Sequence, residues 1–155
     1  MIGDLTIQKH VENKNVLLVG NSKTILDKDN SSLIDSFDFV VRFNLSIGYL
    51  NKSGFENMGT KCSAWVFAMC REWVCEKVYN ESLIKPKHCI RYGGAFNIGE
   101  NNLTLPASLK KTVHKELNIP ENLCPTTGVA FLYFLINNCN CKSISLIGYD
   151  SFKNN

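Results

Sequence analysis

The sequence predicts an α/β domain built on a largely parallel sheet with helices on its faces, and three observations predict it. Apolar runs alternate with amphipathic stretches along the chain, the order that interleaves strands with helices. Val16-Leu17-Leu18-Val19 is a continuous apolar run that stops at Gly20, as a strand buried on both faces does when it turns sharply into a loop. Towards the other end, Val129 to Ile136 is apolar all round behind a Pro125-Thr126-Thr127-Gly128 turn. That reads as a buried helix whose first turn Thr126 or Thr127 can cap.

The other elements follow in order. Phe39-Val40-Val41-Arg42-Phe43 is a second strand, and Ala64-Trp65-Val66-Phe67-Ala68 is a third that leads into a helix from Arg71 to Tyr79. Cys89 to Tyr92 is a weaker strand and Pro106 to Leu117 a helix. Ser143-Ile144-Ser145-Leu146-Ile147 is a last strand closed by Gly148. A chain of 155 residues, 45% hydrophobic and 20% charged, buries one ordinary core, and no composition break marks a linker; residues 1–155 are read as a single domain.

The charge excludes some partners. A formal net charge of +3 comes from 14 Lys and 3 Arg with no basic run, so neither a nucleic-acid groove nor a membrane-binding patch is indicated, while a mildly basic phosphate pocket is allowed. No apolar run approaches the length of a membrane span, and the first fifteen residues lack a signal-peptide core. Cysteines at 62, 70, 75, 89, 124, 139 and 141 form an odd set, for which reduced thiols and a cytoplasmic location are expected. Asn-x-Ser/Thr triplets at Asn30, Asn44, Asn51, Asn80 and Asn102 are what a chain this rich in Asn yields by composition.

Two places have the grammar of a phosphate or ribose site. At Gly20-Asn21-Ser22 a glycine permits close backbone approach, and short polar groups stand at the carboxyl end of a strand, where open α/β sheets bind ligands. At Thr126-Thr127-Gly128 a helix begins, presenting free N–H groups and the positive end of its dipole. A turn, a strand-end hydrogen bond and a simple cap are the structural alternatives for these residues.

The segment Val16-Leu-Leu-Val-Gly-Asn-Ser-Lys23, with Leu33-Ile-Asp-Ser-Phe-Asp-Phe-Val-Val-Arg-Phe-Asn44 and Gly59-Thr-Lys61, resembles the large sialylmotif of glycosyltransferase family 29. Pro125-Thr-Thr-Gly128, continuing through Cys139 to Ile147-Gly-Tyr149, is similar to the small sialylmotif. Family 42, the bacterial sialyltransferases, shares the outline of a Gly-Asn loop, an Arg-x-Asn strand end and a Ser/Thr-Gly turn. The resemblance implies a Rossmann-like fold of the GT-A-like variant, a CMP-sialic acid donor, a glycan acceptor, transfer with inversion, and no metal or other cofactor.

By position it implies that Asn21, with Ser22 beside it, meets the donor phosphate or ribose, and that Asn44 is the second amide. Thr126, Thr127 and Gly128 would line cytidine and ribose. Gly20 lies in the same loop, and Gly148 matches a glycine packed near the nucleotide. Arg42 and Asp35 are read as structural, the Arg pairing with a carboxylate.

This sequence departs from the family in two ways. Val16 stands where the animal enzymes, which are Golgi-anchored, place the disulfide partner of Cys139. Their catalytic histidine motifs lie beyond the small sialylmotif, and this chain stops at Asn155. A partial chain, or a noncatalytic nucleotide-binding module, is therefore the alternative to an enzyme, and the catalytic base is unassigned. Nothing in the sequence places His10, His88 or His114 at an acceptor hydroxyl, and His114 reads as a solvated helix residue. Asp27-Lys28-Asp29 has the Asp-x-Asp form of a metal-binding glycosyltransferase but reads as a solvated loop or helix start. Cys62, Cys70, Cys75 and Cys89 lack zinc-site spacing and read as small core residues, with Trp65, Phe67 and Trp73 as packing. The first loop has one glycine, which disfavours a dinucleotide enzyme or a methyltransferase.

Overall fold

The computed structural model describes residues 4–68, 72–93, 97–120 and 122–149, with side chains from residue 7 onward. Its sheet has six strands: β1 (Asn15–Val19), β2 (Phe39–Phe43), β3 (Ala64–Ala68), β4 (His88–Tyr92), β5 (Asn102–Thr104) and β6 (Ser143–Ile147). Their spatial order is β5-β4-β3-β2-β1-β6, and every pairing is parallel. The chain builds outward from β1 to β5, then crosses back to lay β6 on the other side of β1. The order of the strands thus reverses at β1, the place where open α/β sheets form their crevice.

The strand sequences explain the layers. Side chains alternate between faces, so Val16 and Leu18 of β1, Phe39, Val41 and Phe43 of β2 and Val66 of β3 enter one core. Helices α1 (Asp4–Val11), α4 (Leu109–Glu116) and α5 (Thr127–Asn138) cover it through Ile7 and Val11, Leu109 and Val113, and Ala130, Phe131, Phe134 and Leu135. On the other face Leu17, Val19 and Val40 pack with Ile25, Ile34 and Met58. Beside them Trp65, Phe67 and Cys89 pack with Ile47, Leu50 and Cys75. There α2 (Ser31–Ser36), α3 (Glu72–Glu81) and short 3₁₀ turns form the cover. Burial on both sides is why β1 to β3 read as unbroken apolar runs.

Most elements match their sequence signals. The third helix ends at Glu81, and the expected Pro106 to Leu117 helix starts at Leu109, because Pro106 closes a turn onto the Leu109 N–H at 3.0 Å. Arg71 and Cys70 lie outside the described residues. Helices α1 and α2 and the three-residue β5 carried no sequence signal strong enough to be read. The apolar α5 is not buried all round, since Ile136 is 63% exposed on the side away from the sheet. Nor is Trp73 core packing; it is 59% exposed on α3, whereas Trp65 and Phe67 are buried as expected.

Arg42 is structural, but its partners correct the reading. Its guanidinium is fully buried and donates to the carbonyls of Met58 (2.7 Å), Lys61 (3.0 Å) and Gly59 (3.3 Å), not to a carboxylate. Asp35 accepts instead from the Thr60 and Lys61 N–H groups at 3.0 and 2.8 Å, tying α2 to the same loop. Cys62 and Cys89 are buried free thiols, pushed up by burial to about 12 and about 11. Cys75 is disulfide-bonded, a departure from the wholly reduced set expected. Among the described residues no helix is long and apolar enough to cross a membrane.

Candidate functional site

The polar turns predicted from the sequence meet at the carboxyl edge of the sheet. After β1, the Gly20 N–H donates to Ile147 O at 2.8 Å and the Ser22 N–H to Gly148 O at 3.2 Å, fastening the turn to the end of β6. The close approach expected at Gly20 is present, and what approaches is the Gly148 carbonyl: a Cβ on Gly20 would lie 2.2 Å from that oxygen. Gly148 has a φ of 69°, a conformation that favours glycine. Asn21 is exposed beside this contact, and its Nδ2 donates to Phe43 O at 3.4 Å, across to β2. The Ser22 hydroxyl turns back to cap the 3₁₀ turn Lys23–Leu26, accepting from the Thr24 N–H at 3.4 Å.

Asn44 follows β2 in the left-handed region, with φ 50°, which Asn tolerates better than most residues. Three contacts hold it there. Its Oδ1 accepts from the Ala68 N–H at 3.2 Å, and its carbonyl accepts from Trp65 Nε1 at 2.6 Å. Its Nδ2 points to Thr127 Oγ1 at 3.5 Å, bridging positions 83 residues apart in the chain. The two predicted turns therefore open onto the same edge.

Thr126 is the cap of α5, its hydroxyl accepting from the Val129 N–H at 3.3 Å, while Thr127 is buried behind it. The space left by Gly128 is filled by Tyr149, whose hydroxyl would lie 2.7 Å from an added Cβ. That hydroxyl is buried and has no hydrogen-bond partner among the described residues; burial pushes the phenol well above its usual range. Tyr149 also meets Phe43 edge-on at 6.3 Å, so one ring joins the ends of β2, β6 and α5.

A cavity of about 740 Å³ opens over the carboxyl ends of β2 to β5. Asn44, Ala68, Tyr92 and Thr104 mark its floor strand by strand. Val74, Cys75 and Val78 of α3 form one wall, and Leu105, Lys110 and Pro125 belong to the other. Of the eight predicted residues, Asn44 lines the cavity; Thr127 reaches it through Asn44, and Pro125 sits immediately before the Thr turn. Gly20, Asn21, Ser22 and Gly148, at the ends of β1 and β6, are not among its lining residues, and neither are Thr126 and Gly128. No Asp, Glu or His is among the described lining residues.

Solved structures share this arrangement. A crystal structure of a mammalian sialyltransferase matches with a TM-score of 0.62 at 19% identity, covering 92% of this chain and 57% of its own. Another, of a mammalian sialyltransferase in complex with Gal-beta-1-3GalNAc-ortho-nitrophenol, matches with the same score and identity over 92% of this chain and 58% of its own. The chain has a sialyltransferase-like fold. It spans somewhat over half the length of those sialyltransferase chains. No family model and no curated protein matches the sequence.

The remaining candidates are not among the residues that line the cavity. His88 opens β4 at the amino end, with its ring 4.0 Å from that of His10. His114 is half-buried rather than solvated, its Nδ1 3.3 Å from Ile119 O, because the chain folds back over the end of α4. Asp27-Lys28-Asp29 lies in the loop before α2, as read; Asp29 is fully exposed and accepts from the Ser31 hydroxyl and N–H at 2.6 and 3.0 Å, which lowers its pKa. Among the described residues no three His, Cys, Asp or Glu side chains converge as metal ligands would. Cys139 is a free thiol and Val16 is core.

Sequence reasoning missed Tyr149, Tyr92, Thr104 and Lys110. Tyr149 had a signal, since it follows the predicted glycine. Thr104 did not, because β5 was not legible; Tyr92 and Lys110 lie in elements that were read, but nothing local marks them as facing a cavity.

Proposed function

We propose that this chain is the donor-binding part of a sialyltransferase-type glycosyltransferase, holding a CMP-activated sugar, CMP-sialic acid, at the carboxyl edge of its sheet. The observation that carries the reading is the Asn44–Thr127 contact beside the cavity, which joins the two sialylmotif-like segments at one place. In this reading the amides of Asn21 and Asn44 and the first turn of α5 face the phosphate. A helix N-terminus attracts anions through its free N–H groups and its dipole. Those groups stabilise charge as it develops on the departing CMP, without a metal ion. The largely apolar walls exclude water from the sugar, and an acceptor hydroxyl of a glycan attacks the anomeric carbon from the face opposite CMP, inverting it.

The absence of Asp, Glu and His from the described lining favours a second reading, in which these residues bind the donor and the base comes from outside them. Both readings share one first test. Thermal shift against CMP, CDP, UDP, S-adenosylmethionine and NAD should show stabilisation by CMP above the rest. A ligand at 100 times its dissociation constant stabilises by about 2.7 kcal/mol. Stabilisation by NAD or S-adenosylmethionine, and none by CMP, would remove the assignment.

A further inference from the structure

The described lining of the cavity is unbalanced in charge. Its walls are mostly apolar, through residues such as Trp65, Val74, Val78 and Leu105; its described lining holds no carboxylate and a single cation, Lys110. Lys110 lies in the first turn of α4, is exposed, and forms no ion pair or hydrogen bond with any described residue. Closing a ligand over an uncompensated ammonium strips its water and costs free energy, unless the ligand brings an anion to it. The cavity is thus suited to a body with apolar surface and an anionic group directed at α4.

Resting on the donor reading above, we propose that Lys110 is a specificity residue that recognises the carboxylate of the transferred sugar rather than the phosphate of the nucleotide. A CMP-sugar built on a keto acid carries two anions, whereas one built on a neutral sugar carries its phosphate alone. The phosphate already has a positive field at the start of α5, with the amides of Asn21 and Asn44 beside it. Lys110 comes from a different helix and is the one cation among the described lining residues, whereas the start of α5 lies just past Pro125 at the margin, so Lys110 is left for the second anion. It enters the same cavity as Asn44 from the α4 wall, so both charges of a single ligand can be met at once.

The test is isothermal titration of wild type, Lys110→Gln and Lys110→Arg with cytidine, CMP and CMP-N-acetylneuraminate. Lys110→Gln should weaken CMP-N-acetylneuraminate by about tenfold, the worth of one charge-assisted hydrogen bond, and leave CMP and cytidine within about twofold. Lys110→Arg should keep most of the affinity. An equal loss for CMP and CMP-N-acetylneuraminate would put Lys110 on the phosphate and overturn the proposal, and so would no loss for either. Wild-type protein that binds CMP but gains nothing from the sugar would overturn this inference alone; wild type that ignores CMP would overturn the donor reading with it. The exposed position lets both variants fold, which equal melting temperatures would verify.

Discussion

The two ends of the sheet are made by the same strands and are built in opposite ways. At the amino end the chain closes on itself: Asn15 is fixed by Asp38 through N–H and Nδ2 contacts of 2.8 and 3.0 Å, and Phe39, His88 and His10 stack in sequence. At the carboxyl end two glycines touch, the hydroxyls of Tyr92 and Tyr149 have no hydrogen-bond partner among the described residues and a cavity stands open, whereas positive φ occurs at both ends, in Asn13 before β1 and in Asn44 after β2. Strain and unmet polar groups persist where surrounding structure holds them, and they concentrate at functional sites. The cavity and the unpartnered hydroxyls, rather than backbone strain, are what set the carboxyl edge apart.

The sharpest way to break that contrast is to fill the glycine contact. Gly20→Ala would drive a methyl into the Gly148 carbonyl at 2.2 Å, backbone against backbone, so neither side can rotate away. We expect a loss of about 3 kcal/mol or more in chemical denaturation, beyond ordinary overpacking. Gly128→Ala should cost less, because what it meets is the Tyr149 side chain, with the hydroxyl nearest at 2.7 Å. Adding Tyr149→Phe removes that oxygen and should recover part of the loss. Equal costs for the single and double variants would show that Tyr149 does not determine the spacing of α5 from β6.

Next in size is Asn44, where structural and binding roles overlap. Asn44→Ala loses the acceptor for the Ala68 N–H and places alanine in the left-handed region, together about 2 kcal/mol. Lost CMP binding in that variant would be ambiguous. Asn44→Asp keeps the Oδ1 acceptor and most of the backbone tolerance but replaces the Nδ2 donor with negative charge. It should stay folded and weaken CMP at least tenfold while leaving cytidine nearly unchanged. Unchanged CMP affinity in Asn44→Asp would detach the phosphate from this edge.

How much of this was legible in sequence follows from which side chains act locally. The strands β1 to β3 were readable because burial on both faces leaves an uninterrupted apolar run, and α5 because Thr126 caps a long apolar helix. Gly20, Asn21, Asn44 and Thr126 to Gly128 were readable as short polar punctuation at strand and helix ends. Their meeting at one edge required the crossover from β5 back to β6, which no local pattern encodes. Lys110 was hidden among other lysines, since its distinction is the absence of carboxylates from the described lining of a cavity assembled from four strands. Arg42 was placed correctly as structural, but its three carbonyl partners lie in an irregular loop, whose path local sequence does not fix.

The smallest expected effect lies at the amino end. Burial, followed by the charges of His10, Lys14 and Lys87, pushes His88 down from 6.5 to about 4. Because the folded value lies below the unfolded one, the unfolded chain binds more protons between those limits. Stability is then fully present above about pH 6.5 and is lost as pH falls towards 4. The ring is partly exposed, so solvent screens the effect, and the measurable change is a steeper fall in melting temperature between pH 7 and 5 than in a His88→Gln variant. If the two fall in parallel, the His10–His88 stack is not the acid-sensitive element. Neither protein should differ in CMP affinity at neutral pH, because β4 separates this stack from the carboxyl edge by its full length. A change there would mean that the two ends are coupled through the strand.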